Sequence, residues 1–261
     1  MEITNQYNNI GYLYDLDQRD IVKDDLSFYI DYAHQYGQEI LEVACGTGRI
    51  SIPLAREGFN VTGIDLSDHM IKVLEHKLLN ESMDTRSRVN PFVADMTEFI
   101  SNKKFSLIII PFRSFQLLTE ESQITRFLKN VRTQLTEDGV FILTAYRPYG
   151  LLDETWVQDE HEDWVIYDQN TNKKVTRTQI RKSIDTDKQI TYPEHIYYIE
   201  EPDGTTQKHT QKLAMKYYYE EQLRNLLVTS GFNIREEFGY YDLRPIEEGP
   251  ELIFVCNLRI S

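Results

Sequence analysis

The run FSLIII at Phe105–Ile110 constrains the fold most, because a strand that is apolar on both faces must be covered on both faces. Leu107–Ile110, extended weakly by Pro111-Phe112, is far short of the roughly 20 residues a membrane span needs. The covering elements are visible on either side of it. Leu26, Tyr29, Ile30 and Ala33 recur at helical spacing, with Gly37 as a stop. Glu39–Ala44 then reads as a buried strand, followed by a helix with Ile50 and Leu54 on one face that ends near Gly58. Phe59–Ile64 is a second strand, and Ser67 caps a helix with an apolar face of Met70, Val73, Leu74 and Leu78. Pro91–Ala94 is a short third strand. Thr119 is placed to cap a further helix through Ile124, Phe127, Leu128, Val131 and Leu135, and Gly139 leads into strand Val140–Ala145. Regular alternation of this kind predicts an α/β fold, a doubly wound, mostly parallel sheet with helices on both faces.

The texture changes near residue 146. VTRTQIRKSID (175–185) and QKLAMKYYY (211–219) alternate with period two, and Asp203-Gly204 is a turn signal between such segments. We expect an antiparallel β insertion over 146–218, placed to fold over a site as a lid or substrate element. A helix with Leu223, Leu226 and Leu227 follows, then strands around 233–240 and 251–257. The expected organisation is therefore one domain made of 1–145 and 219–261, interrupted by the insertion.

EVACGTGRIS (42–51) sits where the first strand hands over to a helix. In a doubly wound sheet, ligands bind at the carboxyl ends of the strands. Glycines at 46 and 48 let main-chain N–H groups approach a ligand with no Cβ between. Asp65 ends the second strand, where a carboxylate can accept the hydroxyls of a ribose, and Asp95 ends the third, where an acceptor can meet an adenine amine. Each aspartate alone also reads as an ordinary turn or cap residue. A dinucleotide fingerprint needs a third glycine, and that position is Ser51; no phosphate-binding lysine follows the glycines either.

These segments, in this order, resemble the class I S-adenosylmethionine-dependent methyltransferases of the small-molecule type. LEVACGTGRISIPLAREGFNVTGIDLS resembles the first two motifs of that family, VADMTEF the third, FSLIIIPFRSFQLL the fourth and LTEDGVFILT the fifth. Ala44 stands where many members carry a further glycine. The resemblance implies a Rossmann-like, seven-stranded sheet, with SGFNI and ELIFVCNL in the closing pair, and S-adenosyl-L-methionine as cofactor. It implies that Ala44, Gly46 and Gly48 pass beneath the methionine part and that Glu42 orders the glycine loop. Asp65, with Leu66, takes the ribose; Asp95 and Met96 take the adenine; Pro111 and Arg113 wall the pocket. In the N-terminal YNNIGYLYD, Tyr7 and Tyr14 are the aromatic residues expected to close over the cofactor and approach its methionine carboxylate or sulfonium, although they also suit packing of the first helix.

The acceptor is less legible. The chain carries 42 acidic against 28 basic side chains, a net charge of −14, which disfavours a nucleic-acid partner and speaks first of solubility. DETWVQDEHEDW opens the insertion with six carboxylates and no Lys or Arg. Asp159, Glu160 or Asp163 could therefore pair with a cationic amine or guanidinium, and Arg113 is the rival, suited to an anionic group. The expected activity is methyl transfer to a nitrogen or oxygen of a small molecule or peptide. The alternatives are a non-catalytic S-adenosylmethionine-binding sensor and a nucleic-acid methyltransferase. No catalytic base is assigned; His161 and His195 stand singly, and no spacing suggests a metal. Cys45 and Cys256 suggest no disulfide, the first residues lack the basic start and apolar core of a signal peptide, and a cytoplasmic protein is expected. An open edge of the insertion could pair with a second copy to give a homodimer.

Overall fold

The computed structural model of the protein describes residues 11–169 and 171–259. After the short helix α1 (Gly11–Tyr14) and α2 (Asp25–Tyr36), strands and helices alternate: β1 (Glu39–Val43), α3 (Ser51–Arg56), β2 (Asn60–Asp65), α4 (Asp68–Leu78), α5 (Met83–Arg88), β3 (Val89–Val93), β4 (Phe105–Ile110), α6 (Glu121–Gln134) and β5 (Leu135–Tyr146). The five strands pair in parallel, and β4 lies between β1 and β5. Its side chains alternate between two cores. Ile108 and Ile110 pack with Phe127, Leu128 and Phe141 on one face; Leu107 and Ile109 pack with Phe28, Tyr29 and Ile40 on the other. All four are fully buried, each contributing roughly 1.5–3 kcal/mol of apolar transfer.

The helix boundaries show where local signals compete. On α2 the buried face is Phe28, Tyr29, Tyr32 and Ala33, leaving Leu26 and Ile30 half-buried, because the aromatic side chains fill the sheet surface. Gly37 does end this helix, with an extended φ of −112°. Ser67 caps α4 as expected, its Oγ accepting from Met70 N at 3.3 Å. On α6 the cap is Glu120 rather than Thr119: Glu120 and Gln123 form a reciprocal capping box, which satisfies two end groups at once. The segment MDTRSR carries no apolar stripe, so α5 was not legible; Ser82 holds its start by accepting from Thr85 N at 3.1 Å.

A second sheet follows in the chain: β6 (Gln158–Asp168), β7 (Lys173–Asp185), β8 (Ile190–Glu200), β9 (Thr206–Lys212) and β10 (Met215–Lys216). Every pairing in it is antiparallel, in the order β10-β8-β7-β6 with β9 also on β8. The Asp203-Gly204 turn joins β8 to β9. Gln116, buried after β4, ties the two sheets together. Its Nε2 donates to Lys216 O at 2.8 Å, and its Oε1 accepts from Tyr146 N at 2.7 Å.

Then α7 (Glu220–Thr229), β11 (Phe232–Phe238) and β12 (Glu251–Leu258) complete the first sheet. Its seven strands run β11-β12-β5-β4-β1-β2-β3, with β12 antiparallel to both neighbours. The expected doubly wound, mostly parallel sheet with an antiparallel closing pair is the observed one. Chain order reverses between β1 and β4, and at such a switch point the carboxyl ends of the strands leave a crevice. No helix of the described residues is long and apolar enough to cross a membrane.

Candidate active site

The loop after β1 occupies that crevice. Ala44, Gly46 and Gly48 all have left-handed backbone, with φ of 58°, 55° and 80°. Ala44 thus adopts a conformation that costs an L-residue about 1–2 kcal/mol, which accounts for glycine being the easier residue there. The two glycines differ in what they permit. A Cβ on Gly46 would meet nothing within 4 Å, whereas one on Gly48 would lie 2.2 Å from Leu74 Cδ1. Gly48 is required by the packing of α4 under the loop. Gly46 leaves its outer side open, facing a small cavity that Tyr14, Glu42, Ala44, Arg49, Pro111 and Phe112 also line.

Carboxylates fix the loop. Asp65, at the end of β2, accepts from Gly46 N at 2.9 Å and from Ser67 N at 2.8 Å. Burial raises its pKa, and the two main-chain bonds oppose that shift. A carboxylate has about four lone-pair sites, so half remain for a ligand. Asp95, at the end of the β3 segment, accepts from Thr97 N at 2.7 Å through Oδ1. Leu66, Asp95 and Met96 are each half-buried. Glu42 is buried and accepts a hydrogen bond from Ser51 Oγ; burial pushes its pKa up to about 8. The chain before α2 is clamped onto the same loop, since Asp15 accepts from Thr47 Oγ1 at 2.6 Å and pairs with Lys77 at 2.6 Å. Tyr14 is thereby held at the small cavity, and burial pushes its phenol up to about 12. Tyr7 lies outside the described residues.

Beyond Phe112 is a larger cavity of about 310 Å³ between the two sheets. Phe112 borders both cavities, with Tyr14 edge-on at 6.4 Å and the Arg49 guanidinium 5.4 Å from its ring centroid. Phe112 and Arg113 are consecutive left-handed residues, φ 52° and 68°. Such backbone is costly for non-glycine residues and is held only by its surroundings. Here the anchor is the ion pair of Arg113 with Glu251, a fully buried carboxylate on β12.

Glu42, Ala44, Gly46 and Pro111 of the expected site residues meet at the small cavity with Tyr14, and Arg113 lines the large one. Gly48 lies behind the loop against Leu74, not on the cavity wall. Asp159, Glu160 and Asp163 do not line the large cavity. Asp159 and Glu160 are exposed, Glu160 accepting from Thr178 Oγ1 at 2.6 Å and Tyr198 OH at 2.9 Å; Asp163 lies 3.1 Å from Arg177. The cause is the pleat of β6, which turns its acidic run towards solvent and towards β7. His161 bonds back to Asp159 O at 3.2 Å, whereas His195 does line the cavity. Its Nδ1 lies 3.4 Å from Gln211 Oε1, and burial, reinforced by the charge of Arg177, pushes its pKa down to about 3. Sequence reasoning missed Arg177 and Arg181. The signal was present: Arg177, Gln179 and Arg181 alternate in the period-two segment 175–185, so they leave one face of a strand.

Comparison with known proteins agrees with this architecture. A family described as a methyltransferase domain matches residues 40–139, the span of the glycine loop and the parallel strands. A protein of Geobacillus sp. (strain WCH70), named as a methyltransferase, is 24% identical over 264 residues, covering 96% of this chain and 99% of its own. An S-adenosylmethionine-dependent methyltransferase of Clostridium acetobutylicum shares the fold with a TM-score of 0.79 at 21% identity, covering 97% of this chain and 99% of that one. A sugar N-methyltransferase of Streptoalloteichus sp. does so with a TM-score of 0.72 at 18% identity, covering 95% and 92%. With its ordered motifs and its glycine loop at the switch point, the chain carries a methyltransferase domain over residues 40–139 on a fold shared with S-adenosylmethionine-dependent methyltransferases, and it is a methyltransferase that uses S-adenosylmethionine.

Proposed function

We propose that the protein methylates a nitrogen or oxygen of a small molecule or peptide held in the cavity between the two sheets, nitrogen being favoured. The carrying observation is the adjacency of two cavities at one ring: the Gly46 side and the inter-sheet side meet at Phe112. S-adenosylmethionine supplies an already activated sulfonium methyl. The residues suit it, because the open face of Gly46 is a cradle that a Cβ would intrude upon, and Asp65 keeps lone pairs free for ribose hydroxyls. Asp95 and Met96 would hold the adenine, with Leu66 beside the ribose. Tyr14 and Phe112 would border the methyl-bearing end, and the second sheet, as a lid, would keep water from it. Alignment of acceptor and methyl can supply roughly 7–11 kcal/mol of barrier reduction without a strong base.

Nitrogen is favoured by the fold shared with a sugar N-methyltransferase and by the cavity's arginines, whose positive potential favours the neutral, nucleophilic form of an amine. Among the described residues no carboxylate lines the cavity wall to pair with a cationic acceptor. On the β6 edge of the second sheet, exposed Asp159, Glu160 and Glu162 place charges that discourage strand pairing. Calorimetric titration with S-adenosylhomocysteine tests the reading. Asp65→Ala should weaken binding about 10- to 100-fold, as for the loss of charged hydrogen bonds worth roughly 1.5–3 kcal/mol. Equal binding by the variant, or no heat with the native protein, would refute the reading.

A further inference from the structure

The large cavity is basic in a chain of net charge −14. Arg19, Arg113, Arg177 and Arg181 line it, and among the described residues no carboxylate does. The counter-charges stand behind the wall. Asp17 pairs with Arg19 at 2.6 Å, Glu251 with Arg113, and Asp163 with Arg177 at 3.1 Å. Three carboxylates thus serve four guanidinium groups, and Arg181 is the one over. Among the described residues no carboxylate forms an ion pair with it, and its guanidinium lies 5.9 Å from the ring centroid of Trp156. Arg177 is only 5% exposed; its Nη1 is taken up by the ion pair with Asp163 at 3.1 Å, while its Nε has no hydrogen-bond acceptor among the described residues. Buried charged donors without acceptors are costly, and an acceptor arriving with a ligand removes that cost.

Position on the strand adds geometry. Arg177, Gln179 and Arg181 are successive residues on one face of β7, so their Cα atoms are about 6.6 Å apart at each step. Two guanidinium groups with an amide between them present a row of planar donors, the arrangement that matches an oxyanion. Across the sheet, His195 pairs in register with Gln179. Its imidazole stays neutral at physiological pH, so it neither competes for the anion as a negative group nor adds positive charge.

We propose that the acceptor carries an anionic group, a carboxylate or a phosphate, seated between Arg177 and Arg181 with Gln179 as the neutral donor between them. This rests on the reading that the inter-sheet cavity takes the methyl acceptor. Arg19 and Arg113, each already paired, shape the field around the seat. The substrate class is then a small molecule bearing both an oxyanion and a nucleophilic nitrogen or oxygen.

The test is calorimetric titration of the protein, free and saturated with S-adenosylhomocysteine, with inorganic pyrophosphate, inorganic phosphate and succinate at ionic strength fixed by chloride. At least one anion should bind saturably, and Arg181→Gln should weaken it tenfold or more while S-adenosylhomocysteine uptake is unchanged. Preference for the phosphates identifies a phosphate seat, and preference for succinate a carboxylate seat. Arg181→Lys, which keeps the charge and loses the planar fork, should fall between. Binding of none of the three anions, or equal binding by Arg181→Gln, overturns the proposal. Failure of S-adenosylhomocysteine to bind would strike the methyltransferase-site reading alone, because the free-protein titration reports the anion seat independently.

Discussion

The two sheets build their share of the site in opposite ways. On the seven-stranded sheet the groups proposed to meet the cofactor are carboxyl and main-chain N–H groups at or just past the ends of parallel strands: Glu42, Gly46, Asp65 and Asp95. On the second sheet they are cationic side chains in mid-strand, Arg177 and Arg181 on β7, with neutral His195 on β8. A strand end is fixed by local sequence, so a ligand there is met by backbone whose conformation the chain sets within a few residues. A mid-strand side chain is placed only when distant strands have paired. The first arrangement suits a cofactor that many proteins hold alike, and the second suits an acceptor that can change while the sheet beneath stays.

The junction of the two regions gives the largest expected effect. Arg113 lines the inter-sheet cavity, but its partner Glu251 belongs to β12 and is fully buried. Arg113→Leu leaves that carboxylate without its counter-charge, which typically costs 3–5 kcal/mol. Urea unfolding should show a loss of about that size, and Arg113→Leu with Glu251→Leu should recover much of it. A loss of less than about 1 kcal/mol in the single variant would mean that the pair does not hold the junction.

Glu42 probes the seven-stranded side. Burial raises its pKa from 4.5 to about 8 in the folded protein. Below pH 4.5 both states are protonated. Between those values the folded state keeps a proton that the unfolded state has released, so stability falls as pH rises, by up to about 1.4 kcal/mol per unit. Glu42→Gln removes this slope. The variant should match the wild type near pH 4.5 and exceed it by an amount on the order of 3 kcal/mol at pH 7, read from unfolding curves at each pH. Parallel pH profiles would show that Glu42 ionises normally.

Next in size are the two glycines. Gly48→Ala forces a side chain into left-handed backbone and against Leu74, and should cost about 2–3 kcal/mol of stability. Gly46→Ala meets no neighbour and should cost about 1 kcal/mol, the conformational part alone, while weakening S-adenosylhomocysteine binding more than Gly48→Ala does. The reverse ranking in affinity would place the cofactor on the other side of the loop.

Legibility followed the same division. Ser67, the glycine loop and the two-faced apolar run of β4 act through neighbours a few residues away, and the sequence signals for them matched the structure. Thr119 was displaced as a cap by Glu120 because a reciprocal pair satisfies more groups than one hydroxyl. The acidic run of 153–163 drew attention by density, yet density says nothing about which face of β6 a residue takes. Arg177 and Arg181 carried a legible alternation, but that their face meets Arg113 depends on pairings 30 or more residues apart, such as Gln116 with Lys216.

The smallest expected effect is therefore the most diagnostic of the division. Asp159→Asn and Glu160→Gln alter exposed groups on β6 that do not line the cavity. Each should change stability by less than about 0.5 kcal/mol, and both should leave affinity for the anionic probe within twofold of the native value. Asp163→Asn is the internal contrast, because Asp163 faces Arg177 at 3.1 Å. Removing its charge frees more of the guanidinium for a ligand and should tighten anion binding. Were Asp159→Asn or Glu160→Gln instead to tighten the anion as much as Asp163→Asn, distance from the cavity would not matter and the protein's field would act as a whole. A tightening confined to Asp163→Asn locates the interaction at the β7 face, which net charge alone could never indicate.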